Sequence, residues 1–299
     1  MASAAFERWR SEGRRFRHRG YDVFYREEGD AGRPALLAIH GFPSASWDWW
    51  PIWPALVARF RVLTADLIGF GWSDKPVGYR YSILDQATLL ENLARERGLT
   101  EAHVLAHDYG DTVAQELLAR SERRRERGDG GLRIHSVCFL NGGLFPEAHR
   151  ATRAQKLLRT PLGPVLARLF TRARLASSLR EIFGPDTPPS EELVDELWTL
   201  MLHADGRRAT PRLLGYIDER REYRERWVGA LVRARVPLRF VNGVLDPVSG
   251  GHMLERYREI VPEPDAVALD RVGHYPQIED PAAVLGAFME FHDRLSVRP

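Results

Sequence analysis

The feature that most constrains this chain is an alternation of short apolar runs with helix-like patterns. Six runs are continuous and brief: 34–40 (PALLAIH), 61–66 (RVLTAD), 103–107 (HVLAH), 134–140 (IHSVCFL), 237–241 (PLRFV) and 266–269 (AVAL). Buried parallel strands look like this, because helices cover both faces of their sheet. Residues 21–27 alternate in polarity and read as a further strand. Helical patterns fall at 87–97, 112–127, 251–261 and 281–295. The alternation predicts a mainly parallel sheet of about eight strands with helices on both faces.

The pattern breaks between about 146 and 227. Helical segments there are separated by breakers at 160–164 (TPLGP), 184–189 (GPDTPP) and 210–211 (TP). Ser190 followed by Glu191 and Glu192 has the form of a helix N-cap with first-turn acids. The expected organisation is a core domain over 1–145, an inserted helical cap over 146–227, and the rest of the core over 228–299.

Composition excludes several function classes. The 299 residues carry 43 basic and 41 acidic side chains, so the net charge of +2 demands neither nucleic acid nor an anionic membrane. One cysteine, Cys138, allows no internal disulfide and fits a reducing compartment. No stretch has the length of a membrane span, and residues 1–17 lack the apolar core of a signal peptide. A soluble cytoplasmic protein without membrane or nucleic-acid partners is expected. Its oligomeric state is not readable. The histidines form no metal-ligand pattern, and no phosphate-binding glycine motif is present, so no metal and no cofactor are expected. The charge run at 123–131 (RRRERGDGG) reads as a solvated helix end.

Chemistry concentrates at the ends of the apolar runs. Ala106-His107-Asp108-Tyr109-Gly110 follows one run and opens a helix. It has the form of the G-x-S-x-G nucleophile turn with aspartate at the apex. The bland alternative for Asp108 is a helix N-cap. Asp111, the competing acid, lies inside the helix start. His40-Gly41-Phe42-Pro43 follows the 34–40 run. In such a turn the oxyanion amides come from this loop and from the residue after the nucleophile, here Phe42 and Tyr109; Pro43 has no N–H to give. His40 itself reads as structural. Asp246 follows the 237–241 run and can orient a histidine. Asn141 can hydrogen-bond there but carries no charge. His274, between Gly273 and Tyr275, follows the last run. The order nucleophile, acid, histidine is that of this hydrolase architecture.

Longer strings carry a resemblance. His40 to Trp49 (HGFPSASWDW), Asp66 to Pro76 (DLIGFGWSDKP) and His107 to Gly110 resemble the haloalkane dehalogenase and epoxide hydrolase branch of the α/β-hydrolases. An epoxide-hydrolase-like member is resembled over 113–118 (VAQELL), 141–143 (NGG), 145–147 (FPE), 226–231 (RWVGAL) and 274–277 (HYPQ). The resemblance implies a helical cap over the site, no cofactor, and Asp108, His274 and Asp246 as a catalytic triad. Two departures bear on the substrate. Dehalogenases of the branch cradle halide with a Trp after the nucleophile and often an Asn after His-Gly; here these are Tyr109 and Phe42. Epoxide hydrolases polarise the epoxide oxygen with two cap tyrosines from separate segments. Here only Tyr216 and Tyr223 qualify. They sit seven residues apart on one helix, about 10 Å along its axis, so at most one is expected to be the acid.

The resulting expectation is a hydrolase that opens small organic epoxides with water through an alkyl ester on Asp108. A haloalkane dehalogenase is the alternative, and a weakly catalytic binding protein on the same fold is the second. Trp47 and His107 join Tyr216 and Tyr223 as candidate substrate-binding residues. Trp198, His203 and Trp227 line the pocket or fill the core.

Overall fold

A computed structural model describes residues 3–296. Eight strands form one sheet: β1 (Arg14–His18), β2 (Tyr21–Glu28), β3 (Ala35–Ile39), β4 (Arg61–Ala65), β5 (Glu101–His107), β6 (Arg133–Leu140), β7 (Leu238–Gly243) and β8 (Ala266–Leu269). Their spatial order is β1-β2-β4-β3-β5-β6-β7-β8. Only β1–β2 and β2–β4 pair antiparallel; the rest is parallel. This is the α/β-hydrolase fold. β1 was not among the apolar runs, because its RRFRH sequence buries only Phe16 and His18. It is fixed by a two-residue hairpin at Arg19 and Gly20, both at positive φ.

Helices α1 (Ala4–Ser11), α2 (Trp53–Arg59), α3 (Ile83–Glu96) and α4 (Tyr109–Arg127) accompany the first half. Helices α5 (Arg153–Leu158), α6 (Gly163–Arg168), α7 (Arg172–Ile182), α8 (Glu191–Leu202), α9 (Thr210–Leu213), α10 (Tyr216–Glu222) and α11 (Arg224–Val232) lie between β6 and β7. No strand interrupts them among the described residues. Ser190 caps α8, its hydroxyl accepting from Leu193 N at 3.1 Å. α12 (Gly251–Ile260), α13 (Pro276–Glu279) and α14 (Pro281–Ser296) complete the chain. None of the described helices is long and apolar enough to cross a membrane.

The short α1 also escaped sequence analysis. It buries Phe6 and Trp9 against Trp47, Trp53 and Trp72. Two apolar clusters flank the sheet, one under α3, α4 and α11, the other under α1, α2, α8 and α14. Cys138 is buried in the second.

Candidate active site

The turn after β5 holds Asp108 at φ 48° and ψ −103°, a sparsely populated backbone region for a residue with a Cβ. The conformation is over-determined by its surroundings. A Cβ on Gly110 would fall 2.3 Å from Ile39 O, so only glycine lets α4 start this close to β3. A Cβ on Gly41 would fall 2.5 Å from His107 Nδ1, so the loop after β3 can lie directly on the turn. Through that approach Phe42 N donates to Asp108 Oδ2 at 3.0 Å. Tyr109 N, at the first residue of α4, has no intrahelical acceptor by position.

The loops after β7 and β8 deliver the other two groups. His274 Nδ1 lies 2.8 Å from Asp246 Oδ2, and His274 Nε2 lies 3.8 Å from Asp108 Oδ2. Asp246 accepts in addition from Val248 N, Ser249 N, Ser249 Oγ and Asn141 Nδ2. Asn141, at the end of β6, thus serves Asp246. The structure therefore brings together Asp108, His274, Asp246 and Phe42, each at the C-terminal end of a different strand. Ligands of open α/β sheets bind at that edge.

Electrostatics follow from burial and proximity. Burial alone would push the Asp108 carboxyl up, but the nearby His274 imidazole and the charge of Arg220 hold it well below the ordinary carboxylate range. Burial alone would push His274 down, but the charge of Asp246, its hydrogen bond to that carboxylate and the nearby charge of Asp108 raise it well above an ordinary imidazole. Asp111 is fully buried beside Leu140 N, and burial together with the Asp108 charge pushes its carboxyl far up. It lies in the packing at the start of α4, not at the turn apex.

Sequence reasoning did not single out Arg220. It lies on α10, buried, with Nη2 donating to Asp108 O at 3.2 Å and standing 3.8 Å from Asp108 Oδ1. Its Nε donates to Thr112 Oγ1 at 2.8 Å, and its guanidinium covers the Tyr216 ring at 4.5 Å. The available signal was helix phase, since Tyr216 and Arg220 are four apart and share a face.

Among the other candidates, Trp47, His107 and Tyr223 do not line the cavity. Trp47 is buried against Phe6 and Trp9 and donates from Nε1 to Glu196 Oε2, away from the cavity over Asp108. His107 is buried behind the site, its Nε2 2.7 Å from His274 O, where it holds the histidine loop. Tyr223 faces a surface hollow with Arg19, Tyr79 and Arg80. Its partner Tyr216 is buried one layer behind the cavity wall, 5.0 Å from the Tyr109 ring and 6.2 Å from the Phe42 ring. Its hydroxyl finds no hydrogen-bond partner. Trp227 fills the core, donating to Glu116. His40 is structural, receiving Leu67 N on Nε2.

The cavity has Phe42, Pro43, Asp108, Val248 and His274 as its floor. Its walls come from the inserted helices, chiefly Leu158, Ala167, Phe170, Leu175, Leu179 and Met201, with Gln155, Ser178 and Arg207 among the polar members.

The alpha/beta hydrolase fold family matches residues 34–281, most of the chain. The protein belongs to the α/β-hydrolases. Mesoderm-specific transcript protein of Mus musculus is 42% identical over 298 residues, covering 97% of this chain and 88% of that protein. Epoxide hydrolase A of Mycobacterium tuberculosis is 24% identical over 315 residues, covering 91% of this hydrolase and 94% of its own length. Among solved structures, a haloalkane dehalogenase loop variant from Bradyrhizobium elkanii superimposes with TM-score 0.77 at 21% identity, covering 95% of this chain and 97% of its own. At that identity the likeness speaks for the fold.

Proposed function

We propose that this α/β-hydrolase opens apolar epoxides by covalent catalysis, with Asp108 as nucleophile. The observation that carries the reading is an ionised aspartate at the apex of the strained turn, with Phe42 N on one oxygen and His274–Asp246 behind it. A carboxylate oxygen of Asp108 attacks an epoxide carbon and the C–O bond breaks, leaving an alkyl ester and an alkoxide. Tyr216, whose hydroxyl must swing past the Phe42 ring to enter the cavity, protonates the alkoxide. His274 takes a proton from water, and the hydroxide adds to Asp108 Cγ. The Phe42 amide, with that of Tyr109, stabilises the oxyanion. Collapse releases the diol and restores the carboxylate, and the imidazolium proton returns through solvent to the phenolate. Dehalogenation is the lesser reading, because Tyr109 and Phe42 stand where that branch places its halide donors.

Tyr216 is chosen on its environment. Burial, then the Asp108 charge, keep its phenol protonated far above neutral pH. A buried hydroxyl without a partner costs about 1–3 kcal/mol, a cost that binding an epoxide oxygen would offset. Tyr216→Phe is expected to lower epoxide turnover by one or more orders of magnitude, while Tyr223→Phe changes it by less than about twofold. Product assay on a panel of epoxides reads both. A silent Tyr216→Phe would remove the phenol from the mechanism.

The two half-reactions should differ in pH dependence. Asp108 has a depressed pKa, so it stays ionised until pH falls through that low value, and ester formation should be flat across mildly acidic and neutral pH. His274 has a raised pKa and is a base only when neutral, so ester cleavage should rise with pH. Alkylation cancels the Asp108 charge and removes one cause of the rise, which moves the ascending limb to lower pH. Rapid-quench measurement of ester formation against steady-state turnover separates the limbs. A formation rate falling together with turnover towards acid pH would refute the assignment.

A further inference from the structure

We infer that the α5–α6 hairpin docks this protein on anionic lipid bilayers, with the cavity on its inner side. Leu157, Leu162, Val165 and Leu169 are 49%, 65%, 56% and 66% exposed, the four most exposed large apolar side chains among the described residues. Leu162, Val165 and Leu169 follow the i, i+3, i+7 spacing of a single helix face. The opposite face of the hairpin supplies Leu158, Ala167 and Phe170 to the cavity wall. The two helices are held close, since a Cβ on Gly163 would fall 1.9 Å from Leu158 O.

The hairpin's own charge is of one sign. Residues 148–180 hold eight Arg or Lys and no Asp or Glu. Arg159, Arg172 and Arg180 are paired with acids from elsewhere, namely Asp218, Glu191 and Asp195. Arg153, Lys156 and Arg168 are exposed on the hairpin itself and make no ion pair among the described residues. The overall charge of +2 conceals this segregation. Protruding aliphatic side chains ringed by unpaired cations match an acyl interface beneath anionic headgroups. The same charge opposes a second copy on this face, since it would set like charges together in a desolvated contact. Docked in this way, the cavity walls adjoin the lipid, and an apolar electrophile dissolved in the bilayer is the substrate class that reaches Asp108. The docking surface itself does not depend on the reaction proposed for Asp108.

The test is sedimentation of the full chain with vesicles of phosphatidylcholine, alone or mixed with phosphatidylglycerol. Partition onto the anionic vesicles is expected to be stronger by at least about tenfold, each cation contributing a factor of about five. Leu162→Ser with Leu169→Ser should lower it at least about tenfold. Lys156→Ser with Arg168→Ser should lower it by a similar factor and flatten its salt dependence. None of these side chains lines the cavity, so turnover of a water-soluble epoxide serves as the check that the variants fold. Partition onto neither vesicle, equal partition onto both, or indifference to the leucine pair would overturn the inference. So would a concentration-dependent dimer in sedimentation velocity that the leucine pair abolishes.

Discussion

Replacing His274 by alanine is expected to convert this hydrolase into a trap for its own intermediate. Ester formation needs no general base, because Asp108 is already an anion and Tyr216 supplies the proton for the opened ring. Ester cleavage needs a base to activate water, and losing one costs about 10²–10⁴ in rate. The variant should gain the full mass of the epoxide on the peptide containing Asp108, and the adduct should persist after excess substrate is removed. The fold should survive the change. Asp246 keeps four hydrogen bonds, from Val248 N, Ser249 N, Ser249 Oγ and Asn141 Nδ2, so its buried carboxylate is not orphaned. Asp108→Ala should show neither adduct nor turnover. A serine-type mechanism gives the opposite result, since there the histidine is needed for the first step as well. An adduct on any side chain other than Asp108 would sink the assignment.

The site was legible wherever chain order and chemistry coincide. Asp108, Asp246 and His274 each follow an apolar run, and a parallel sheet must place those loops along one edge. The Phe42 amide was legible for the same reason. Residues that reach the site from helices were harder to see. Arg220 sits in the string DERRE, which reads as a solvated charge run, and Arg221 beside it is indeed 63% exposed along its side chain. Only helix phase separates the two. Trp47 was misread because adjacency to the His-Gly loop does not fix the side to which a side chain turns; its indole ties the first loop to Glu196 of α8 instead. Among the elements, α1 and β1 are arginine-rich and short, so neither shows its buried face as a run. The basic hairpin was hidden in another way, because net charge sums over the chain while docking depends on where the charges stand.

The strings 113–118 and 226–231 are one contact, 110 residues apart in sequence. Glu116 on α4 is buried, and its carboxylate accepts from Arg120 Nε at 2.7 Å, Arg226 Nε at 2.6 Å and Trp227 Nε1 at 2.8 Å. These bonds pin α11, where the chain leaves the inserted helices, to α4, which begins at the nucleophile turn. Glu116→Ala leaves the buried Trp227 N–H without an acceptor and the Arg226 guanidinium without its anion, while Arg120 keeps Glu91. Breaking a buried pair on one side costs about 3–5 kcal/mol; since Arg226 and Arg120 keep some access to water, the lower end applies. A loss of about 3 kcal/mol corresponds to about 5 °C in Tm for a chain of this size. The sign of the pH dependence gives a second check. Burial raises the Glu116 carboxyl, but its bonds to Arg226, Arg120 and Trp227 outweigh this and lower it below an ordinary glutamate. The contribution is therefore complete above the unfolded pKa and lost as pH falls through the folded one. The gap in Tm between wild type and Glu116→Ala should be widest near neutral pH and narrow under acid. A gap that is absent at neutral pH, or that widens with acid, would show that the two helices are held by their apolar contacts alone.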